Sequence, residues 1–477
     1  MSEILYIFAD LYWGGWLIYA LVGTGAYFTY KLDFIQFRYF KHSFFVITAR
    51  SQRKGKTISS FQALCTGLAA RIGIGNIVGV GLAISVGGPG AAFWMWMTAL
   101  LGMATSFAES TLAQLFKTQD EAGYFRGGPA YYIQRGLGMK KMGMLFSFIL
   151  IITFGFVFNA VQSNALSLAV EESFNLHPLY MMLPLSIFTM YVVFGGLKRI
   201  VKWLEIIVPI MALAYLSVAL YIIFIHIEQV PSVFLLIIRA AFGLEEMFAG
   251  AVGYGIAQTL VHGIKRGLFS NEAGIGSTPN AAATAKAFPP HPVSQGYVQM
   301  LGVFIDTIVI CTATVFIILL SDVHMLNHGA LSSVMTQQAI IRELGDVGGY
   351  FVMTALFVFA FTSIIANYSY AETNIMILTK NTTLPLSFVR WGVILSVGAG
   401  AFMTLPTVWA LVDVFMGLMA TMNFAALLLL SPVIIKLTKD YNRQLKIGKL
   451  PVFKIRDFPE LKNQIDHEVW GEKNPHL

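Results

Sequence analysis

The chain has 477 residues, of which 56% are hydrophobic and only 12% are charged, and its mean hydropathy is +0.69. A soluble protein of this length needs far more charge to cover its surface, so the composition excludes an ordinary soluble domain. The net charge of +7 comes from basic residues that gather in short loops and in the C-terminal tail, which is typical of membrane topology signals rather than of nucleic-acid binding.

Eleven apolar segments approach or exceed the roughly 20 residues that a membrane-spanning helix needs. Their apolar runs are continuous rather than alternating, which excludes a transmembrane β-barrel. We therefore predict an all-α polytopic membrane protein. In chain order the predicted spans are 12–30, 60–86, 91–115, 143–169, 180–194, 203–225, 252–285, 293–320, 350–378, 386–404 and 408–435.

The basic loops predict the orientation of these spans. Segment 31–56, the loops around 117–141 and 198–202, and the tail after Lys436 are rich in Lys and Arg, whereas 321–348 is nearly free of them. Basic loops stay in the cytoplasm. We therefore expect a multi-pass protein of the cell inner membrane with its N-terminus outside and its C-terminus in the cytoplasm.

One predicted span does not fit this simple pattern. His262, Lys265 and Arg266 precede an apolar, glycine-rich stretch within 252–285. Charged groups at membrane depth are costly unless they are paired or meet water. These residues therefore indicate either a wet external vestibule or a short or re-entrant helix, and the sequence leaves both readings open.

Two spans carry a matching glycine motif. Residues 69–79 read AARIGIGNIVG and residues 270–279 read SNEAGIGSTP, and each opens a block of about five spans. Glycine lets a helix unwind, and Pro279 suits the first turn of a restarted helix. Freed amides then favour a carboxylate and freed carbonyls favour a cation, which suits a zwitterionic amino acid and a sodium ion. The alternative is that each motif only packs helices closely.

This pattern divides the chain into five parts. They are an N-terminal span with a basic cytoplasmic segment (1–57), a first five-helix repeat (58–228), an extracellular connection (229–251), a second five-helix repeat (252–437) and a cytoplasmic tail (438–477).

Long and specific motifs then identify a family. They are residues 60–79, GGPGAAFWMW at 87–96, ATSFAESTLA at 104–113, GGPAYYI at 127–133 and RGLFSNEAGIGS at 266–277. The sequence closely resembles the alanine or glycine:cation symporter family (sodium:alanine symporters) over nearly all of the chain except the tail. The resemblance implies a leucine-transporter-like fold, a 5+5 inverted repeat with two discontinuous helices preceded by one extra helix. It also implies uptake of alanine, glycine or a related neutral amino acid driven by Na⁺.

The resemblance also implies a substrate site at the two breaks. The first break would bind the substrate carboxylate, and the second would meet its ammonium group and side chain. The residues that match are Gly73, Ile74, Gly75 and Asn76 in the first break and Phe269, Ser270 and Gly274 in the second.

The usual sodium site of such transporters maps onto four residues: the carbonyls of Ala69 and Ile72 and the hydroxyls of Thr362 and Ser363. The alternative for the two hydroxyls is that they bond their own helix backbone, as Thr and Ser in membrane helices often do.

Two further side chains resemble substrate-contacting positions. Gln162 would help to hold the substrate, or it would only hydrogen-bond between helices. Asn367 stands where many members carry a tryptophan. The smaller amide would leave room and hydrogen-bonding capacity, so we expect the substrate range to extend to glutamine.

Several ionisable residues fall in or near the predicted spans: Arg71, Glu109, Glu272, Asp306, Glu372 and Asp413. We expect Arg71 to pair with a carboxylate, with Glu109, Glu272 and Asp306 as the candidates, either as a structural ion pair or as part of a gate. Asp306 could instead join Asn76 and Ser270 at a second cation site.

Other function classes fit less well. A channel would typically show symmetry or a repeated pore loop, and an enzyme would show paired histidine ligands or a nucleophile motif; neither pattern is evident. A proton-coupled amino-acid carrier remains the alternative, with Asp306 or Glu272 as the titrating group. The expected partners are a small neutral amino acid, Na⁺ and the lipid bilayer, without nucleic acid.

Overall fold

The computed structural model describes residues 12–48, 57–244, 252–326, 334–379 and 384–471. Over these ranges the chain is mainly helical. Its one antiparallel strand pair is very short, with β1 (Thr118–Gln119) opposite β2 (Phe125–Arg126) and Thr118 aligned with Arg126.

Most of the helices follow one another with short connections, as is usual for neighbouring helices in a bundle. In chain order they are α1 (Trp16–Lys31), α2 (Ile35–Arg38), α3 (Phe40–Thr48), α4 (Ser60–Arg71), α5 (Val80–Gly87), α6 (Ala91–Leu115), α7 (Pro129–Arg135), α8 (Lys140–Ile152), α9 (Phe158–Phe174), α10 (Leu179–Val193), α11 (Leu197–Ile225), α12 (Val230–Ala241), α13 (Val252–Asn271), α14 (Pro279–Thr284), α15 (Val293–Val303), α16 (Thr312–Leu320), α17 (Val323–Leu326), α18 (Met335–Thr379), α19 (Leu384–Gly400), α20 (Leu405–Leu429), α21 (Ser431–Lys446) and α22 (His467–Trp470).

Three wider π-helical turns and three short 3₁₀ turns complete the helical structure. The π turns are Gly75–Gly79, Thr153–Val157 and Phe304–Cys311, and the 3₁₀ turns are Ile227–Gln229, Ile455–Asp457 and Pro459–Leu461. Thr153–Val157 and Phe304–Cys311 each join two α-helices directly, whereas Gly75–Gly79 follows a non-helical step after α4 and leads into α5. Such turns are frequent at functional sites.

The prediction of an all-α protein with apolar spans is confirmed. Within the described ranges six helices are long and apolar enough to cross a membrane, and α4 with the segment Gly75–Gly87 forms a further span bent by 51°. Every predicted span coincides with a helix or an interrupted helix. The number of eleven membrane crossings and the inverted repeat stay predictions.

Apolar and polar side chains are distributed as a lipid environment requires. Leu213 and Phe224 on α11 are 66% and 76% exposed, whereas Asn76, Glu109 and Asp306 are fully buried. Without water outside, polar groups must find their partners within the bundle. Polar residues that bind a ligand are therefore expected in the core of the bundle.

The C-terminal tail packs onto the rest of the chain. The Phe453 N–H donates to the Pro290 carbonyl at 3.0 Å, and the Trp470 indole donates to the Gln114 carbonyl at 3.1 Å. Phe458, like both of these aromatic residues, is buried. The tail therefore covers the end of α6 and the loop before α15, a contact that its polar composition did not predict.

Candidate functional site

The first glycine motif interrupts a helix, as predicted. α4 ends at Arg71, Ile72 leaves helical geometry at φ −74° and ψ 85°, and the chain re-enters helix through the π turn at Gly75. The Gly73 N–H donates to Asn76 Oδ1 at 2.9 Å, and the Ile74 N–H donates to Gln162 Oε1 at 3.1 Å. Two main-chain amides at a helix N-terminus therefore hold side-chain oxygens that a ligand carboxylate could replace.

Close approach explains both glycines of this break. A Cβ atom on Gly73 would collide with Ser363 Oγ, and one on Gly75 would lie 2.9 Å from the Phe269 ring. The first break is therefore packed directly between α9, α13 and α18.

The residues expected to bind sodium are only partly brought together. Ser363 Oγ donates to the Ala69 carbonyl at 2.9 Å, so this hydroxyl already lies on the first break. Thr362 Oγ1 instead donates to its own helix, at the Val358 carbonyl, and lies 3.6 Å from the Met211 sulfur. Ile72, at the break itself, has a fully buried side chain.

The second glycine motif also interrupts a helix, but in another way. Between α13 and α14, Glu272, Gly274 and Gly276 take positive φ angles of 55°, 85° and 91°. Glu272 Oε2 accepts hydrogen bonds from Ser277 Oγ at 2.6 Å and from Thr278 Oγ1 at 3.3 Å. A left-handed turn braced by its own side chains therefore joins the two half-helices.

Only the beginning of the second break faces the first one. Phe269 stacks on Phe158 and packs at a tilt against Trp409, with ring centroids 5.0 and 4.6 Å away, and it contacts Gly75 as described. Gly274 lies elsewhere: its N–H donates to Glu109 Oε1 at 3.3 Å, and its carbonyl accepts from Asn423 Nδ2 at 2.9 Å. The structure therefore brings Phe269, and not Gly274, to the first break.

A buried carboxylate connects the two breaks. Asp306, in the π turn Phe304–Cys311, accepts from Asn76 Nδ2 at 2.7 Å, from Ser270 Oγ at 2.8 Å and from Thr307 Oγ1 at 2.7 Å. All four residues are fully buried. No cationic side chain forms an ion pair with Asp306 in the described part of the chain. The three residues of the suggested second cation site are thus in contact.

The expectation that Arg71 pairs with a carboxylate is wrong. Its guanidinium donates to the Gln299 carbonyl at 3.1 Å and to Ser106 Oγ at 3.0 Å, and it forms no ion pair within the described ranges. α15 presents a main-chain carbonyl there, and this dipole stabilises the buried cation. Arg71 therefore fastens α4 to α6 and α15.

Asn367 belongs to a small polar wall beside the first break. Its Nδ2 donates to Asn159 Oδ1 at 3.1 Å, and Asn159 lies one helical turn before Gln162 on α9. Asn367 is fully buried, and its Oδ1 has no hydrogen-bond partner in the described structure. A buried acceptor without a partner is unfavourable, so this oxygen could receive an N–H of a ligand.

The sequence reading missed an ion cluster on one side of the site. Asp413 Oδ2 lies 2.5 Å from Lys265 Nζ and 3.7 Å from Arg266 Nη2. The Arg266 guanidinium lies 4.2 Å from the centre of the Trp409 ring, which itself packs on Phe269. α13 is one continuous helix here, and Lys265 and Arg266 lie in its C-terminal half, where both meet Asp413 and Arg266 also stacks on Trp409.

A second ion cluster lies further along α18. Arg126 reaches Asp120 Oδ2 at 2.9 Å and Glu372 Oε1 at 2.7 Å, with all three side chains at most 7% exposed. Glu372 follows Ser363 by nine residues, which is roughly 14 Å along a helix. The sequence had marked Asp413 and Glu372 as buried acids, but their partners are too distant in the chain to be recognised from it.

Comparison with known proteins identifies a matching family and several similar proteins. The model of the sodium:alanine symporter family matches residues 1–455. The chain is 45% identical to the "Probable sodium/glutamine symporter GlnT" of Bacillus subtilis (98% of this chain, 96% of the relative). It is 38% identical to the "Sodium/alanine symporter AgcS" of Methanococcus maripaludis (90% and 95%).

A solved structure shares the fold. The crystal structure of MhsT in complex with L-phenylalanine aligns with a TM-score of 0.52 over 82% of this chain and 99% of that chain, at 13% sequence identity. This likeness confirms the leucine-transporter-like fold.

Proposed function

This chain belongs to the sodium:alanine symporter family, and from that membership we propose that it carries a small neutral amino acid into the cell together with Na⁺. The family consists of membrane transporters, so the protein is not an enzyme. The inner membrane, with the N-terminus outside, is the proposed location.

The observation that best supports the proposal is the hydrogen bonding of two main-chain amides at the first break. The amides of Gly73 and Ile74 bind only side-chain oxygens, from Asn76 and Gln162. An amino-acid carboxylate offers two oxygens with a full negative charge, and such charge-assisted bonds are stronger than those to a neutral amide. The substrate carboxylate would therefore displace Gln162 from Ile74, while Phe269 would close over the substrate body.

Sodium has two proposed positions. The first uses the carbonyls of Ala69 and Ile72 with the Ser363 hydroxyl, which already contacts Ala69. Thr362 would join only after leaving the carbonyls of its own helix. The second position is Asp306 with Asn76 and Ser270, where a buried carboxylate has only neutral partners and a cation would balance its charge.

The proposed substrates are alanine or glycine, with glutamine as a further candidate. A glutamine side chain would extend its amide toward Asn367, whose Oδ1 lacks a donor. The names of the two relatives support this range, because one refers to alanine and the other to glutamine.

Transport would proceed by alternating access between the two five-helix repeats, 58–228 and 252–437. The proposed gates are the two ion clusters: Asp413 with Lys265 and Arg266 next to Phe269, and Arg126 with Glu372 further along α18. Opening one cluster while the other stays closed exposes the site to one side at a time.

Uptake into proteoliposomes tests the function. Labelled alanine, glycine and glutamine are supplied with an inward sodium gradient, with equal sodium on both sides, or with choline in its place. We expect accumulation only with the sodium gradient. Equal accumulation under all three conditions would rule out sodium coupling.

A proton-coupled carrier is the second candidate, because Asp306, Glu109 and Glu272 are buried acids without an ion-pair partner in the described structure. A proton gradient imposed without sodium separates the two. Uptake driven by protons alone would favour this alternative.

A further inference from the structure

A groove with a volume of about 350 Å³ lies between the end of α1, the short helix α2 and the helix α21. We propose that it binds the headgroup of an anionic phospholipid from the surrounding bilayer. This site is separate from the proposed substrate site and does not depend on the transport reaction.

The charge of the groove is strongly one-sided. Its lining contains a single acidic side chain, Asp33, against five basic ones, which are Lys31, Arg38, Lys439, Arg443 and Lys446. All five basic residues are exposed. Among the ion pairs of the described residues, only Arg443 takes part, with Asp440 at 2.6 Å. The other four cations line the same groove, so an anion bound there would reduce the repulsion between them.

Apolar side chains beside these cations indicate a lipid rather than a free anion. Leu32, Ile435 and Ile447 share the lining. Next to the groove, Phe34 and Phe37 are 51% and 58% exposed. A phosphate or nucleotide needs only the cations, whereas a phospholipid places acyl chains next to its phosphate and so requires both kinds of surface.

The position of the groove also fits a membrane surface. Lys31 ends α1, the predicted first span, and Tyr30 before it is 70% exposed. Tyrosines and lysines at the end of an apolar helix are typical of the interface between headgroups and water. The basic loops predict that this end of the molecule faces the cytoplasm, where a negative surface potential attracts basic segments.

A second basic groove is a weaker candidate. It is lined by Lys198, Arg199 and Lys202 near the start of α11. Arg199 there donates to the Tyr191 carbonyl at 2.7 Å and stacks on the Tyr191 ring, so its charge already has protein partners. The groove at α21 offers more cations, and most of them have no ion-pair partner in the described structure.

The test compares two triple variants with the intact chain. One removes three charges from the groove (Lys31→Gln, Lys439→Gln, Lys446→Gln). The matched control removes three exposed charges outside it (Lys140→Gln, Lys141→Gln, Lys462→Gln). Each purified protein is incubated with equal amounts of phosphatidylglycerol and phosphatidylcholine, and native mass spectrometry then counts the lipids retained. Circular dichroism checks that the variants are folded.

We expect the intact chain and the control to retain phosphatidylglycerol in preference to phosphatidylcholine. The groove variant should bind it on the order of 100-fold more weakly, since each lysine near an anionic headgroup contributes about fivefold. Equal retention by the groove variant and the intact chain would overturn the proposal. So would thermal stabilisation by inorganic phosphate equal to that by phosphatidylglycerol, because the bound group would then be a free anion.

Discussion

The two breaks share the letters Gly-Ile-Gly but differ in what holds them. At the first break, Gly73 and Gly75 do not take positive φ angles; the Gly73 amide bonds Asn76 of the same break, and the Ile74 amide bonds Gln162 of α9. At the second break, Gly274 and Gly276 are left-handed, and the turn is braced by carboxylates and amides such as Glu272 and Asn423.

In the proposed mechanism the first break binds the substrate, whereas the second break only connects two half-helices. At the first break glycine is needed because neighbouring side chains approach the backbone closely, so the main chain stays within reach of a ligand. At the second break glycine is needed because the backbone takes the left-handed conformation, which other residues rarely adopt. Substitutions should therefore affect transport at the first break and folding at the second.

Gly276→Ala should have the largest effect, and it should act on stability. The new Cβ would sit at φ 91° and 2.7 Å from Pro129 Cγ, with Asn423 and Phe146 at 3.0 Å. Left-handed strain and overpacking together cost about 3 kcal/mol. We expect a clearly lower melting temperature and a lower yield of folded protein. A melting temperature equal to that of the intact chain would show that the second break is not needed for stability, which would contradict its structural role.

Gly73→Ala should abolish uptake and leave most of the stability. Its Cβ meets Ser363 Oγ and Gln162, which are side-chain atoms that can turn aside, and no left-handed strain arises. The cost in folding free energy is about 1 kcal/mol. Transport is lost because the methyl group fills the space next to the Gly73 and Ile74 amides. Normal alanine uptake by a folded Gly73→Ala protein would contradict the proposed carboxylate site.

The sequence predicted both breaks because their signals are local. A run of apolar residues marks a span wherever it lies, and glycine with a nearby proline marks an interruption. The resemblance to the family then placed Gln162 and Ser363 near the first break, where they lie. It could not tell that Thr362 would bond its own helix in this structure.

What the sequence could not predict depends on contacts between distant residues. Asp413 meets Lys265 across 148 positions, and Arg71 takes the carbonyl of Gln299 instead of a carboxylate. Any of several buried acids could have balanced either cation, and only the helix packing selects among them. The hydrogen bond between Trp470 and Gln114 could not be predicted for the same reason.

Asp306→Asn should act on both breaks, because Asp306 contacts Asn76 in the first and Ser270 in the second. The amide keeps the shape of the side chain but loses the negative charge that the proposed second cation site needs. We expect the sodium concentration for half-maximal uptake to rise by about tenfold, or about 1.4 kcal/mol. An unchanged sodium dependence would exclude this second site.

The matched control is Glu272→Gln. Glu272 is also a fully buried acid without an ion-pair partner in the described residues, but its bonds go to Ser277 and Thr278 inside the second break. This variant should lower the melting temperature and leave the sodium dependence of the remaining uptake as it was. If both variants raise the sodium concentration for half-maximal uptake equally, the second break takes part in ion binding and is not only a structural connection.

Asn367→Leu should have the smallest effect, a change of preference between substrates. The leucine side chain has the same branched arrangement of heavy atoms as asparagine, although it is larger, and it cannot accept a hydrogen bond, so the proposed bond from a glutamine side chain is lost. Such a bond contributes about 1 kcal/mol, so the ratio of glutamine to alanine uptake should fall roughly fivefold. Asn164→Leu is the control on α9, because Asn164 Nδ2 donates to the carbonyls of Gly400 and Met403. Both variants lose a buried hydrogen bond, so both should be less stable, but only Asn367→Leu should change the ratio. The same shift in both would mean that general loosening of the bundle sets the preference, and not the acceptor beside the first break.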